Sequence, residues 1–328
     1  MHSTAMPPYR APAWLPGGDL QTIWAVAVPR PPVAYRRERW ELPDGDFIDL
    51  DWLDGPAGAP LVVLFHGLEG SSDSHYARFL MAALAGRGWR GVVAHFRGCS
   101  GEVNRLARAY HSGDSAEIER ILTRLHADAA GAPLHAVGVS LGGNALLKWL
   151  GERGADAARW LGRAAAVSAP LDLPAAGATL DRGFGRVYGL RFLGTLKEKA
   201  RAKLGRHPLP YDRAALARVN TLHAFDSVVT APLHGFRDAD DYWTRCASKP
   251  YLKGIGLPTL VLNARNDPFM PAASLPGADA VAACVTLDFP DQGGHVGFLS
   301  GPPPGNQDWL TGRLLAFLGA DAGAGPRL

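Results

Sequence analysis

A serine flanked by glycines is the first group in this chain whose surroundings point to chemistry. Residues 138–142 read Gly-Val-Ser-Leu-Gly, at the end of the apolar run 134–139 and just before a helical pattern that starts at Asn144. A strand that turns straight into a helix strains the residue at its apex, and small neighbours prevent clashes. The pentapeptide alone could be an ordinary glycine-rich turn. Its position between a strand and a helix predicts that Ser140 is exposed at the sheet edge as a nucleophile.

A serine hydroxyl needs a neighbouring base, and the base needs an acid to orient it. Two later loops supply these groups: the loop after the apolar run 259–263 contains Asp267, and the loop after the run 285–289 contains His295. If these runs are parallel strands, both loops lie at the same edge of the sheet as Ser140. We therefore expect Ser140, Asp267 and His295 to form a catalytic triad.

Both partners of the serine have alternative interpretations. Asp267 precedes a proline and could be a simple turn residue. Asp291 is close to His295 in sequence and is a rival acid, although it is more typical of a residue that caps a turn. His295 is one of eleven histidines, and the glycines beside it distinguish it, because they let the backbone bring the ring into a crowded site.

Acyl transfer also requires hydrogen-bond donors for the oxyanion of its tetrahedral intermediate. The residue after the nucleophile contributes the backbone N–H of Leu141, and we assign the second donor to the N–H of Leu68 in the loop that starts at His66. His66 is expected to bond to the backbone of that loop rather than to act as a base. Glu69 would oppose a developing negative charge, so its carboxylate is expected to face away or to be paired.

The segments that position these residues alternate between strand and helix patterns over much of the chain. Such alternation predicts an α/β fold with a mostly parallel central sheet and helices on both faces. The predicted parts are an irregular N-terminal arm packed on the body (1–32), a first part of the core (33–170), a helical cap (171–250) and a second part of the core (251–328). The core opens with an antiparallel hairpin. The cap is expected over the carboxyl ends of the strands, where open α/β sheets bind ligands.

The predicted cap contains aromatic residues that could line a pocket for an apolar acyl group. They are Phe184, Tyr188, Phe192, Phe225, Phe236, Tyr242 and Trp243. The alternative is that most of them pack the cap on the body. The expected partner is a small-molecule ester with an apolar acyl group.

Composition and charge argue against several other classes of function. The 34 basic and 31 acidic residues give a net charge of +3, without a run of five like charges, so no nucleic-acid partner is expected. The widely spaced cysteines Cys99, Cys246 and Cys284 suggest neither a disulfide framework nor a metal site. The first residues lack the apolar core of a signal peptide, and no apolar run is long enough to span a bilayer. We expect a cytoplasmic protein, and the sequence does not indicate its oligomeric state.

Several motifs run through nearly the whole chain in order. They are Gly17-Gly-Asp-Leu-Gln-Thr22, His66-Gly-Leu-Glu-Gly70, His95-Phe-Arg-Gly-Cys-Ser-Gly101, Tyr110-His-Ser-Gly-Asp114, Gly138-Val-Ser-Leu-Gly-Gly143, Phe225-Asp226, Thr230-Ala-Pro-Leu-His-Gly-Phe236, Asn266-Asp-Pro-Phe269 and Gly293-Gly-His-Val-Gly-Phe298. With these motifs the chain resembles the α/β-hydrolase superfamily, and more narrowly the YheT-like esterases of the AB hydrolase 4 group. That group also includes mammalian lipid-cleaving enzymes and yeast ethanol acyltransferases.

The resemblance implies a carboxylic-ester hydrolase with catalytic Ser140, Asp267 and His295 and without a cofactor or metal. Two positions depart from the family pattern. The family often has a histidine where Asp19 stands and a second aspartate where Asn266 stands. The first departure concerns the arm. The second leaves Asp267 as the only acid in its loop.

The sequence therefore favours a serine carboxylesterase that hydrolyses short- to medium-chain acyl esters through an acyl-enzyme. Two alternatives stay open at this point. The first is an alcohol O-acyltransferase that uses the same acyl-enzyme but replaces water with an alcohol. The second is a catalytically silent binding protein on the same fold, against which the intact triad and oxyanion loop argue.

Overall fold

The computed structural model describes residues 6–320 and is built around one eight-stranded sheet. The strands are β1 (Arg36–Glu41), β2 (Phe47–Leu53), β3 (Leu61–Phe65), β4 (Arg90–Ala94), β5 (Leu134–Val139), β6 (Arg163–Val167), β7 (Thr259–Leu262) and β8 (Val285–Asp288). Their order across the sheet is β1-β2-β4-β3-β5-β6-β7-β8. Only β2 pairs antiparallel with its neighbours, β1 and β4, and all other pairs are parallel. The predicted α/β-hydrolase fold with a mostly parallel sheet is confirmed.

Helices fill the connections between these strands. The α-helices are α1 (Gly18–Ala27), α2 (His75–Gly86), α3 (Ser115–Asp128), α4 (Leu141–Arg153), α5 (Leu173–Leu180), α6 (Gly185–Leu204), α7 (Arg213–Arg218), α8 (Leu222–Phe225), α9 (Ala231–His234), α10 (Ala239–Cys246) and α11 (Asp308–Leu318). Short 3₁₀ segments occupy Gly154–Arg159, Lys249–Gly254, Ala272–Ser274 and Ala278–Ala280, and a π-helical turn occupies Asp226–Thr230.

The central strands are apolar throughout because helices cover both faces of the sheet. In β3, Val63 and Phe65 join a core cluster with residues of α3 and α4. Their neighbours Val62 and Leu64 join a second cluster with residues of α2 and α11. Successive side chains of a strand point to opposite faces, so an unbroken apolar run is what a strand buried on both faces requires.

Within the described residues, the chain between β6 and β7 forms helices and no strand. These helices, α5 to α10, are called the cap helices below. Part of this segment has its own apolar cluster, which includes Leu193, Leu216 and Phe225. Phe269, from the loop after β7, belongs to the same cluster, so the cap helices are packed against the loop that contains the predicted acid.

The prediction of an irregular arm over residues 1–32 is wrong for residues 18–27, which form helix α1. The buried residues of this helix are Gln21, Thr22 and Ala25. Its large apolar side chains are instead exposed, so the helix lacks the inward apolar stripe that sequence patterns detect. Residues 1–5 of the predicted arm lie outside the described residues. Across residues 6–320, no helix has the length and apolar character needed to cross a bilayer.

Candidate active site

Ser140 occupies the sharp turn between β5 and α4, as the sequence predicts. Its backbone has φ 52° and ψ −121°, a left-handed conformation that side chains other than glycine adopt with strain. The Ser140 N–H donates to the carbonyl of Val167 in the neighbouring strand β6, at 2.8 Å. The turn is therefore tied to the sheet on one side and continues into a helix on the other.

The two flanking glycines are required by close backbone contacts. A Cβ placed on Gly138 would lie 2.6 Å from the carbonyl oxygen of Gly142, and one placed on Gly142 would lie 2.3 Å from that of Phe65. Both distances are far below a van der Waals contact, so neither position accepts a larger residue without movement of the backbone. The Gly-x-Ser-x-Gly spacing thus follows from the close packing of the turn on itself at Gly138 and against the end of β3 at Gly142.

The structure brings Ser140, Asp267 and His295 into one hydrogen-bonded chain. His295 Nε2 lies 3.0 Å from Ser140 Oγ, and His295 Nδ1 lies 2.8 Å from Asp267 Oδ2. The other oxygen of Asp267 accepts from the backbone N–H of Phe269 at 2.8 Å. With a neutral imidazole, Nδ1–H donates to the carboxylate and Nε2 accepts from the serine hydroxyl. This is the geometry in which a histidine can act as the base of a serine nucleophile.

The rival acid does not reach this site. The side chain of Asp291 is 89% exposed and lies 3.7 Å from that of Arg265. Asp267, in contrast, has a side chain that is 1% exposed and is in contact with His295. The alternative that Asp291 orients the histidine is therefore not supported by the geometry.

The loop that contains Leu68 lies directly against the serine. A Cβ placed on Gly67 would be 3.1 Å from Ser140 Cβ, and the Gly67 N–H donates to the Tyr76 hydroxyl at 2.9 Å. Among residues 6–320, neither the Leu68 N–H nor the Leu141 N–H donates to another protein group. Both donors border the same cavity as Ser140, so they are available to a ligand at the serine.

His66 bonds to backbone, as expected from the sequence. Its Nδ1 lies 2.8 Å from the Gly67 carbonyl oxygen, and its Nε2 accepts from the Phe96 N–H at 3.0 Å. Complete burial lowers the pKa of His66 to about 3, so the ring is neutral and donates through Nδ1–H. This imidazole fixes the path of the loop and is not placed as a base.

A largely apolar cavity extends from Ser140 and His295 into the cap helices. Its apolar lining includes Leu141, Leu173, Leu180, Phe192, Leu196, Phe225, Val229, Leu233, Trp243, Phe269 and Met270. Of the seven aromatic residues proposed for a pocket, Phe192, Phe225, Tyr242 and Trp243 line it. Tyr188, Phe184 and Phe236 do not: Tyr188 packs on Phe269, Phe184 is 55% exposed, and Phe236 packs beside Tyr242.

Ionisable side chains of the segment between β6 and β7 also border this cavity. Lys203 donates to the carbonyl oxygens of Ala107 and Arg108 at 3.1 and 2.6 Å, and burial lowers its pKa to about 8. Asp226 accepts from Thr230 Oγ1 and Trp243 Nε1, and burial raises its pKa to about 6. Across residues 6–320, no group of three or more histidine, cysteine, aspartate or glutamate side chains is placed to hold a metal ion.

Residues 60–302 match a family model described as the alpha/beta hydrolase fold. The chain belongs to the α/β-hydrolase family. Within this family it is YheT-like: it is 44% identical over 286 residues to YheT of Escherichia coli (strain K12), whose name marks it as a candidate esterase, and the match covers 86% of this chain and 84% of YheT.

Further relatives of this hydrolase carry lipid- or ester-related names. It is 32% identical to the phospholipase ABHD3 of Mus musculus, over 83% of this chain and 68% of that protein. A solved structure of the Pyrococcus furiosus esterase Pf2001 superposes with a TM-score of 0.54 at 16% identity, covering 89% of this chain and 97% of that chain. The latter similarity concerns the fold alone.

Helix α1 of the hydrolase is hydrogen-bonded to the loop after β8 that carries His295, which is called the histidine loop below. Thr22 Oγ1 accepts from the backbone N–H of His295 at 2.8 Å, and Gln21 Oε1 accepts from that of Gly293 at 2.8 Å. Ser168 Oγ accepts from the Val296 N–H at 3.0 Å. The motif that contains Gln21 and Thr22 is visible in the sequence, but it predicts no role for either residue, since nothing local shows that they contact a loop more than 270 residues away.

The two departures from the family pattern have structural partners. Asn266 Nδ2 donates to the side-chain oxygens of Gln21 and Gln292 at 3.0 and 2.9 Å. An ionised aspartate cannot donate these hydrogen bonds, so the amide fits this position. Asp19 accepts from the Tyr188 hydroxyl at 3.0 Å, which connects α1 to the cap helix α6.

Glu69, beside the Leu68 N–H, is paired, as the sequence analysis expected. Its carboxylate accepts from the Tyr110 hydroxyl and from Lys199 Nζ of α6, each at 2.8 Å. The Tyr110 oxygen also accepts from the Glu69 N–H at 2.9 Å. The side chain of Glu69 is 8% exposed, so the charge on Lys199 compensates a largely buried negative charge. The sequence offered no signal that singled out Lys199.

Replacement of Thr22 tests the contact between helix α1 and the histidine loop. Thr22→Val keeps the size of the side chain but removes the acceptor for the His295 N–H. We expect kcat for p-nitrophenyl butyrate to fall by about tenfold with little change in KM, because a displaced imidazole no longer meets the serine. Kinetics of the purified variant provide the measurement.

Thr311→Val is the matched control for this variant. Thr311 is as buried as Thr22, at 6% exposure, and each threonine hydroxyl donates to the backbone carbonyl four residues earlier in the chain. It is expected to change the melting temperature but not kcat. Wild-type kcat in Thr22→Val would contradict a positioning role for helix α1.

Proposed function

We propose that this α/β hydrolase is a serine carboxylesterase that hydrolyses short- to medium-chain acyl esters through an acyl-enzyme. The observation that carries the proposal is the hydrogen-bonded chain of Asp267, His295 and Ser140 at a strained elbow. Relatives named as a candidate esterase and a phospholipase support it. The expected cytoplasmic location is part of the same proposal.

The first half-reaction transfers the acyl group to the protein. His295 Nε2 takes the proton of the Ser140 hydroxyl while Ser140 Oγ attacks the ester carbonyl carbon. The oxyanion formed accepts hydrogen bonds from the N–H groups of Leu68 and Leu141. When the tetrahedral intermediate collapses, His295 gives its proton to the departing alkoxide, and the alcohol leaves.

The second half-reaction releases the acid. His295 takes a proton from water, whose oxygen attacks the acyl carbon of the Ser140 ester. The same two N–H groups hold the second oxyanion, and collapse returns the proton from His295 to Ser140 Oγ. Asp267 stays ionised and stabilises the imidazolium that forms in each half-reaction.

The cavity supports an apolar acyl group as the part of the substrate that enters the protein. Leucine and aromatic side chains of the cap helices line it beyond Ser140, and each methylene group buried there adds about 0.8 kcal/mol of binding free energy. Ala200 of α6 is among the lining residues and is buried. The volume left beside this residue is therefore expected to limit the length of the acyl chain.

Loss of the nucleophile tests the reaction itself. Ser140→Ala should lower kcat/KM for p-nitrophenyl butyrate by more than about a thousandfold and abolish labelling by a fluorophosphonate, because no acyl-enzyme can form. Ser274→Ala is the control, since Ser274 is a buried serine that lies outside the cavity lining. Full turnover in Ser140→Ala would rule out the mechanism.

Removal of the cation beside Glu69 tests the oxyanion assignment. Lys199→Met should lower kcat by about tenfold, because an uncompensated carboxylate next to Leu68 opposes the developing oxyanion. The double variant Glu69→Gln/Lys199→Met should recover most of kcat, since a glutamine still accepts from Tyr110 but has no charge. Steady-state kinetics of both variants are the measurement.

Lys197→Met is the control for this pair of variants. Lys197 lies on the same helix, and its partners within residues 6–320 are the carbonyl oxygens of Ala217 and Val219, so kcat should not change. A low kcat in Lys199→Met that Glu69→Gln fails to restore would show that displacement of α6, and not charge, causes the loss.

A larger residue in the cavity tests the placement of the acyl chain. Ala200→Phe should lower the ratio of kcat/KM for p-nitrophenyl octanoate to that for the butyrate by about tenfold, because the longer chain loses its space. Ala202→Phe, an exposed position on the same helix, should leave the ratio unchanged. An unaltered ratio in Ala200→Phe would place the acyl chain elsewhere.

A further inference from the structure

Helix α1 exposes its apolar residues and buries polar ones. Gln21 and Thr22 are buried against the histidine loop. The large apolar side chains of the helix face solvent: Leu20 is 41% exposed, Ile23 49%, Trp24 38% and Val26 42%. A surface helix of a soluble protein normally has the opposite arrangement. The hydrogen bonds to the histidine loop explain the buried polar residues but leave the outward apolar residues without a role.

A second segment has the same property. At the start of α6, Phe184 is 55% exposed, Val187 57% and Leu190 50%. Among residues 6–320, all of the large apolar side chains with such exposure lie in these two segments. We call the seven residues the apolar rim. Exposed apolar side chains are unremarkable when scattered, but a concentrated patch marks an interaction surface.

The two segments of the apolar rim are in contact and border the candidate active site. Tyr188 of α6 donates to Asp19 of α1 at 3.0 Å. The ring of Tyr188 packs against Phe269, with ring centroids 4.8 Å apart, and Phe269 stacks on His295, with centroids 4.0 Å apart. Phe269 also lines the cavity. Phe184 of the rim packs on Tyr188, with ring centroids 5.8 Å apart, so the rim is three side-chain contacts away from His295.

The charged side chains of the α6 segment of the apolar rim have one sign, whereas Asp19 of the α1 segment is engaged by the Tyr188 hydroxyl. Residues 182–197 include basic residues and no acidic one, and Arg182, Arg186 and Arg191 are exposed. Across the described residues these three arginines form no ion pair. Apolar side chains interspersed with unpaired arginines match an interface in which acyl chains lie below anionic headgroups.

We propose that the apolar rim docks the protein on a lipid surface that contains anionic headgroups. A second copy of the chain fits less well, because a two-fold contact through the same face would bring the arginines of both copies together. Trp24 suits the boundary between headgroups and acyl chains, and its indole N–H is already satisfied by the Pro304 carbonyl at 2.9 Å. Docking itself does not depend on the proposed esterase function. If acyl esters pass from this surface into the cavity, only that step rests on the proposed function.

Sedimentation with lipid vesicles tests the docking surface. The full chain with Ser140→Ala is used, so that lipid turnover does not disturb the measurement and failure of the esterase proposal cannot affect it. This protein should sediment with vesicles of phosphatidylcholine and phosphatidylglycerol, and less with phosphatidylcholine alone. When Ile23→Gln and Val187→Gln are introduced into this Ser140→Ala protein, its partition coefficient on the mixed vesicles should fall by about tenfold or more, because both side chains lose their apolar contact.

The arginines are tested by charge removal. Arg186→Gln/Arg191→Gln should weaken partitioning to the mixed vesicles by about fivefold per arginine, with little effect on phosphatidylcholine alone. Arg36→Gln/Arg159→Gln removes the same charge from exposed positions outside the cap helices and should partition like the parent. Thermal melting of every variant checks that the fold is unchanged.

Three outcomes would overturn the docking proposal. The first is that the parent protein does not sediment with the mixed vesicles. The second is that the Ile23→Gln/Val187→Gln variant binds them as well as the parent does. The third is that the parent does not bind vesicles but forms dimers in solution, and that this variant is monomeric. The last result would identify a second copy as the partner of the apolar rim.

Discussion

The strained backbone of Ser140 is the constraint on which the candidate site depends. A left-handed conformation of a serine costs about 1–3 kcal/mol, and it persists because β5 and α4 hold the turn from both ends. Gly138 and Gly142 make this possible, since their Cα atoms lie where any Cβ would overlap neighbouring backbone. The Ser140 hydroxyl and the first N–H of α4 are consequently placed by the packing of the sheet, independently of Asp267 and His295.

Local patterns in the sequence were sufficient for the parts of the fold and site that local rules govern. The apolar runs that became β3 and β5 are buried on both faces, so their composition alone revealed a covered parallel sheet. Asp267 and His295 could be chosen because each follows a strand end, and parallel strands place such loops at one edge. The sequence favoured Asp267 but kept Asp291 as a rival, and the structure separates the two, since Asp267 is buried against His295 whereas Asp291 is exposed.

The rest of the site depends on contacts between distant segments, which leave no local signal. Thr22 meets His295 across 273 residues, and Lys199 meets Glu69 across 130 residues. Each contact satisfies a polar group whose need for a partner is visible in the sequence, but many other side chains could have met that need. The aromatic residues of the cap helices show the same limit: composition identified candidates for a pocket, and only the packing separated Phe192, which lines it, from Phe184, which is exposed.

Helix α1 escaped sequence-based detection because its two faces serve different partners. One face must offer acceptors to the histidine loop, so it is polar and buried, with Gln21 and Thr22 as its functional groups. The other face is apolar and exposed to a large part, with side chains that are 38% to 49% accessible within the described chain. A periodicity rule assumes that the protein interior is apolar and the solvent side polar. Helix α1 reverses both assumptions, so its sequence pattern is irregular by that rule. Its polar face nevertheless suits its partners, because Gln21 and Thr22 accept hydrogen bonds from backbone N–H groups of the histidine loop.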